Sequence, residues 1–327
     1  MTLPGTTLSP EPEALPAQRS TAPPCLTTTV PRELVHRSAL AEVLLTGSAK
    51  LSDGRFTLTG QWPRAHSFFT EDTSAGPRHD PLIAAETIRQ AGLYLAHTEF
   101  DVPDNHVFLM RRMELNAVED QLAIGTEPTD ITLDAKAGKV RQSRTSTVVE
   151  LGFTIRRGGR TAATGGGEFT SLSPAVYRRV RGPYAGLDVR TADLPRKHAV
   201  PPALVGRSRP QDVVLAATST PGRWTVGPDP CNAVLFDHGG DHLPGMVLLE
   251  AARQAAHILL APEGGRPISA SATFDRYAEL HAPCVVEARW HGAPGPTGSV
   301  RVTGVQAGET IFTSLLGGGV QSPAAAR

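Results

Sequence analysis

The chain has 327 residues, 40% of them hydrophobic, and its 32 Lys and Arg are balanced by 32 Asp and Glu. That length can hold two ordinary cores, and zero net charge argues against nucleic acid or an anionic membrane as a bulk partner. No apolar run approaches the roughly 18 residues of a membrane span, and no basic stretch leads into an apolar one at the N-terminus. Cys25, Cys231 and Cys284 are far apart and form no CxxC pair, so neither a disulfide framework nor a metal site is expected, and a cytoplasmic protein is.

Residues 1–30 are rich in Pro, Thr and Ser and read as a disordered N-terminal tail. Strands are expected near 41–50 and 55–61, joined by Asp53-Gly54, a strong hairpin signal. A loop with Pro63 and Gly76-Pro77 leads to a helix over 81–97, where Asp80 and Pro81 supply an N-cap and a first-turn residue. Four strands follow, near 106–115, 128–135, 144–157 and 161–171. Residues 181–204 carry Gly, Pro and scattered charge and read as a linker. The same order then returns: strands near 212–218 and 222–226, a loop, a helix over 244–260, and strands near 268–279, 284–291, 298–306 and 309–316. Residues 321–327 read as a second tail.

The return is visible in the residues themselves. Val35 to Leu45 aligns with Val205 to Leu215, and Glu86, Arg89, Gln90 and Ala91 align with Glu250, Arg253, Gln254 and Ala255. Arg111 and Glu114-Leu115 match Arg276 and Glu279-Leu280. A period of about 165 residues is the size of a domain, far too long for a solenoid. Two early strands, one central helix and a run of antiparallel strands make an α+β unit in which a curled sheet wraps a helix. The expected fold is therefore a tandem double hotdog, with repeat 1 over 31–180 and repeat 2 over 205–320. Such an internal pseudo-dimer places its helices side by side on one continuous sheet, with a site between the copies.

The residues suited to chemistry gather at the start of each helix. Glu250 and Arg253, like Glu86 and Arg89, are three apart and share a helix face. Duplicated at a common seam, they suit an anionic, hydroxyl-bearing ligand. His238 sits between Asp237 and Gly239, where Asp can fix a tautomer and a neutral imidazole can accept a hydroxyl proton. Asp241-His242 and His79-Asp80 are matched Asp/His positions, open to a substrate role or to helix capping. Gly239, Gly240 and Gly245 leave N–H groups available to an anion at a helix N-terminus. In repeat 1, Pro81 has no such N–H, which favours one productive site built mainly by repeat 2 and completed by Glu86 and Arg89.

The run from Phe236 to Gln254 resembles the His, Pro-Gly, Glu and Gln pattern of hotdog β-hydroxyacyl-carrier-protein dehydratases, with a shorter gap between His238 and Pro244. A more specific resemblance rests on Val35-His36-Arg37-Ser38, on Trp62 to Phe69, and on His79-Asp80-Pro81-Leu82 with Ala85 to Gly92. Asp241 to Met246 with Leu249 to Gln254 completes it. Over residues 33–320 the chain resembles the A-factor biosynthesis family of γ-butyrolactone synthases. The resemblance implies an acyltransferase that moves a 3-oxoacyl chain from an acyl carrier protein, where phosphopantetheine carries it, to dihydroxyacetone phosphate. No other cofactor is implied, and a homodimer is compatible with it. On that reading Glu250, His238 and Glu86 are the catalytic candidates, and Arg253, Arg89, Asp241, His242, Gly245 and Arg276 bind substrate; Arg276 and Arg111 would face the phosphopantetheine phosphate. The alternatives are another hotdog enzyme, a dehydratase or thioesterase, and a non-enzymatic acyl-ligand binding module.

Overall fold

The computed structural model describes residues 26–73, 76–192 and 199–320. The expected tail 321–327, residues 1–25 of the expected N-terminal tail, and residues 193–198 of the expected linker lie outside the described residues. Repeat 1 contains β1 (Leu45–Ser52), β2 (Arg55–Trp62), β3 (Thr70–Thr73), β4 (Gly76–His79), α1 (Leu82–Glu99), β5 (Val107–Ala117), β6 (Thr129–Gln142), β7 (Ser146–Arg157) and β8 (Arg160–Leu172). A short helix α2 (Pro174–Arg181) follows. Repeat 2 contains β9 (Leu215–Ala217), β10 (Arg223–Val226), α3 (Gly245–Leu260), β11 (Arg266–Phe274), β12 (Val285–His291), β13 (Ser299–Gln306) and β14 (Glu309–Gly319).

Twelve strands form one antiparallel sheet in the order β1-β2-β6-β7-β8-β5-β11-β14-β13-β12-β10-β9. Read outward from the β5–β11 junction, the two halves repeat one topology. β3 and β4 form a separate hairpin. Across the junction Met113 stands opposite Ala272 and Leu115 opposite Ala270, and all four are buried. Directly opposed residues share a face, so the buried face runs unbroken through the junction and both long helices cover the same side.

Burial alternates along the strands as a half-covered sheet requires: in β6, Thr129, Ile131, Leu133 and Ala135 are buried and the residues between them exposed. α1 and α3 are buried on nearly every side, because the sheet curls around them. Close approach is made possible by Gly165 in β8, where an added Cβ would stand 2.2 Å from the Glu114 carbonyl oxygen and 2.8 Å from Ile88 Cδ1. Asp80 Oδ1 accepts the Leu82 N–H at 2.7 Å, capping α1 as its sequence signature predicts.

Several strand ends shift by a few residues, as in β1, β6, β9 and β11, and two segments expected as loop and linker carry structure of their own. The loop before α1 contains the β3–β4 hairpin. The expected linker is not a bare connection: α2 reaches its first residue, Arg181, and the guanidinium is buried against repeat 2, held by Asp241 and Glu279. Among the described residues no helix is long and apolar enough to cross a membrane.

Candidate active site

Each repeat buries a polar cluster against its long helix, and the two clusters match almost contact for contact. In repeat 2, Glu250 accepts hydrogen bonds from Arg207 Nε and Nη2 at 2.8 and 2.6 Å, from Arg253 Nε and Nη2 at 2.8 and 2.9 Å, and from Gln254 Nε2 at 2.6 Å. In repeat 1, Glu86 accepts from Arg37 Nε at 3.1 Å, Arg89 Nε at 2.9 Å and Gln90 Nε2 at 2.7 Å. Gln90 and Gln254 also tie the helices to the chain ahead of each first strand, through Leu44 and Val214 N–H. The repeats then interlock: Arg37 Nη1 donates to Val234 O at 2.9 Å, and Arg207 Nη1 to Phe68 O at 2.7 Å. Burial alone would raise the pKa of Glu250, but Arg207 and Arg253 overwhelm it and hold the carboxyl at about 2. Glu86 is driven lower still by Arg37 and Arg89 against the same burial.

A cavity of about 870 Å³ opens where the loop before α3 meets α1 and β5. Its apolar wall includes Leu93, Phe108, Met110, Phe169, Met246 and Phe274. Its polar groups come from both repeats: Arg37, Arg89 and His36 from repeat 1, His238, His242 and Gly245 from repeat 2. Gly245 opens α3, and the first N–H groups of a helix have no partner within it. Arg111 is the extra residue of a β-bulge between Met110 and Arg112; Asp275 and Arg276 both donate N–H to Ile311 O in a matching distortion. Bulges re-aim side chains, and these two put Arg111 and Arg276 on the cavity lining, where Arg276 pairs with Glu309 at 3.0 Å.

Hydrogen bonding fixes the histidine tautomers. His242 Nδ1 lies 2.7 Å from Asp241 Oδ1. Burial would raise the pKa of Asp241, but hydrogen bonds from His242, Tyr177 and Arg181 hold it at about 2, so this oxygen only accepts. His242 Nδ1 is therefore the donor of this hydrogen bond, and in the neutral ring Nε2 is the acceptor. Tyr177 OH donates to the same carboxylate at 2.6 Å and Arg181 Nε at 3.0 Å, and Tyr277 packs edge-on against His242. His238 Nδ1 faces its neighbour's carbonyl, Gly239 O, at 3.0 Å, again leaving Nε2 unprotonated. Its pKa is lowered mainly by desolvation, with the Arg89 and Arg37 guanidiniums acting in the same direction.

The structure thus brings His238, His242, Gly245, Arg89, Arg276 and Arg111 to one cavity and leaves Glu86, Glu250, Arg253 and Asp241 outside its lining. Glu250 and Glu86, expected as catalytic, are buried carboxylates held ionised by guanidinium and amide donors, and the structure places both outside the cavity lining. Asp241, expected to bind substrate, is in contact with His242 and does not itself line the cavity. Asp237 does not fix the His238 tautomer: its carboxylate accepts the Ser38 and Ala39 N–H groups at 2.5 and 3.0 Å. Sequence reasoning missed Arg37 and Arg207 as partners of the glutamates, although the repeated Val-x-Arg-Ser motif held both. It also missed Tyr177 and Arg181, for which no local pattern exists. Among the described residues no group of three or more His, Cys, Asp or Glu side chains converges as a metal site.

Comparison with known proteins agrees with the architecture. The chain is 44% identical over 294 residues to a 2-oxo-3-(phosphooxy)propyl 3-oxoalkanoate synthase of Streptomyces virginiae, covering 89% of this chain and 98% of that one. Proteins of the same name from Streptomyces coelicolor and Streptomyces griseus are 37% and 36% identical, each over 88% of this chain and over 91% and 94% of theirs. Among solved structures, an acyl-ACP thioesterase from Bacteroides thetaiotaomicron superposes with a TM-score of 0.45 at 11% identity, over 82% of this chain and 98% of that one. Residues 18–173 and 189–313 each match the model of the A-factor biosynthesis hotdog domain, and with its two copies of that domain the chain belongs to the A-factor biosynthesis hotdog family.

Proposed function

We propose that the protein is a 2-oxo-3-(phosphooxy)propyl 3-oxoalkanoate synthase: an acyltransferase that moves a 3-oxoacyl group from the phosphopantetheine thiol of an acyl carrier protein to the hydroxyl of dihydroxyacetone phosphate. The product is a phosphorylated ester, the precursor of a γ-butyrolactone, butenolide or furan signal. The Asp241–His242 dyad, facing a cavity that joins an apolar wall to guanidinium groups, carries this reading. An ionised Asp both orients the ring and stabilises the imidazolium that forms, the logic of a catalytic triad.

His242 Nε2 takes the hydroxyl proton as the oxygen attacks the thioester carbonyl. The N–H groups that open α3 at Gly245 face the oxyanion of the tetrahedral intermediate. Collapse breaks the C–S bond, and the imidazolium returns the proton to the departing thiolate. His238, close to two guanidiniums, is less suited to becoming cationic and serves as a neutral acceptor that orients the hydroxyl. The acyl chain lies along the apolar wall, and Arg111 and Arg276 meet the phosphopantetheine phosphate at the rim. A cytoplasmic location accords with the free thiols of Cys231 and Cys284.

Incubation of the protein with a 3-oxoacyl carrier-protein thioester and dihydroxyacetone phosphate should release thiol and yield the mass of the phosphorylated ester. A free 3-oxo acid or a 2-enoyl thioester, formed without dihydroxyacetone phosphate, would replace this reading with a thioesterase or a dehydratase.

A further inference from the structure

The two buried clusters diverge at one point. In repeat 2, Arg207 and Arg253 face a second carboxylate besides Glu250: Asp80 Oδ2 lies 2.9 Å from Arg207 Nη1 and 3.9 Å from Arg253 Nε. Asp80 belongs to the other repeat, six residues ahead of Glu86. The same position six residues ahead of Glu250 is Pro244, which lines the large cavity beside Arg37 and Arg89 and brings no carboxylate. The backbone acceptors correspond. Val35 O and Val205 O each accept from the helix arginine of their own copy, Arg89 and Arg253, and Val234 O and Phe68 O each accept from Arg37 and Arg207. Asp237, on the same cavity wall, accepts the Ser38 and Ala39 N–H groups while its charge also acts on Arg37.

The repeat 2 cluster is also covered. A smaller cavity of about 290 Å³ there is lined by Arg207, Arg253 and, from the β3–β4 hairpin, by Glu71 and Asp72. At the repeat 1 cluster the corresponding space is part of the 870 Å³ cavity.

We propose that the cavity-facing side of Arg37 and Arg89 binds the phosphate monoester of the acceptor substrate, in the place that Asp80 occupies against Arg207 and Arg253. The inference rests on the ester-forming reading and assigns its phosphate subsite. Asp80 displays within the same molecule an anionic oxygen in ion contact with this arrangement of guanidiniums, though without a hydrogen bond from them, and a phosphate brings more oxygens and more charge to the matching place.

Pro244→Asp tests this by restoring the missing carboxylate at a helix N-cap, where Asp is well tolerated. Calorimetry should show dihydroxyacetone phosphate binding the wild-type protein and binding P244D at least tenfold more weakly. Pro244→Asn, the neutral control, should bind as wild type, and 4′-phosphopantetheine should bind all three alike. Unchanged affinity for dihydroxyacetone phosphate in folded P244D overturns the proposal, as does selective loss of 4′-phosphopantetheine. If P244D does not fold, Arg89→Lys, which keeps the charge beside Glu86 but removes the planar fork, must raise KM for dihydroxyacetone phosphate and not for the thioester. Wild-type protein that binds no dihydroxyacetone phosphate but does bind inorganic phosphate, lost in P244D, would keep the subsite and discard the ester-forming reading.

Discussion

At Glu250 both carboxylate oxygens are taken by Arg207, Arg253 and Gln254, and the residue is fully buried. Removing its charge strands two guanidiniums in the interior, a loss of about 3–5 kcal/mol for a broken buried pair. Glu250→Gln should therefore lower the melting temperature sharply, yet below that temperature turn over within a few-fold of wild type. A loss of kcat at unchanged stability would instead restore it as a base. His242→Gln should do the reverse, lowering kcat by about 10²–10⁴ with little change in melting temperature. Stability also has a pH signature. Burial lowers His36 to about 3 and His79 and His257 to about 4, all from 6.5. The unfolded chain therefore binds their protons first, and stability falls as pH drops below 6.5, by up to about 1.4 kcal/mol per pH unit for each histidine. Glu71 is raised to about 8 by burial and by Asp80; it opposes the histidines between pH 4.5 and 6.5 and makes stability decline gently from there to pH 8. Chemical denaturation across pH 4 to 9 should show a maximum near pH 6.5–7, and a curve flat down to pH 4 would contradict these assignments.

Among the elements, β8 carries an exacting requirement, since the space beside Gly165 is filled by the Glu114 carbonyl and by Ile88 of α1. Gly165→Ala should cost about 1–3 kcal/mol by forcing helix and sheet apart, measurable as a shifted denaturation midpoint; a neutral result would mean that the sheet gives easily there. The long helices and long strands were legible in sequence because periodicity accumulates over many residues: the helix expected over 81–97 is observed at Leu82–Glu99, and that over 244–260 at Gly245–Leu260. Short elements lack that accumulation. The four-residue strands β3 and β4 sit in a stretch that Gly76-Pro77 marks as a loop. α2 has only eight residues, and its anchors Tyr177 and Arg181 find Asp241 some sixty positions away. The same limit applies at the site. Glu250 and Arg253 are neighbours on one helix, but Arg207 lies 43 residues before Glu250, a distance over which no helix or strand period connects two residues.

For the whole molecule, two copies of one topology support one open site. Calorimetric titration with dihydroxyacetone phosphate should give a stoichiometry near one per chain, because the second cluster holds Asp80 and is covered by β3–β4; two equal sites would show that the cover does not exclude ligand. The cross-repeat contacts set the order in which that site can appear during synthesis. Arg37 reaches the Val234 carbonyl across 197 residues of chain, and Asp237 reaches back 199 residues to the Ser38 N–H. Contacts of such separation close late in folding, and during translation they cannot close before the ribosome has released repeat 2. Repeat 1 leaves the exit tunnel with its arginines and apolar helix in place but without His238, His242 or the start of α3. A chain truncated before repeat 2 should therefore show no reactivity toward acyl thioesters, since half of the cavity lining has not been made.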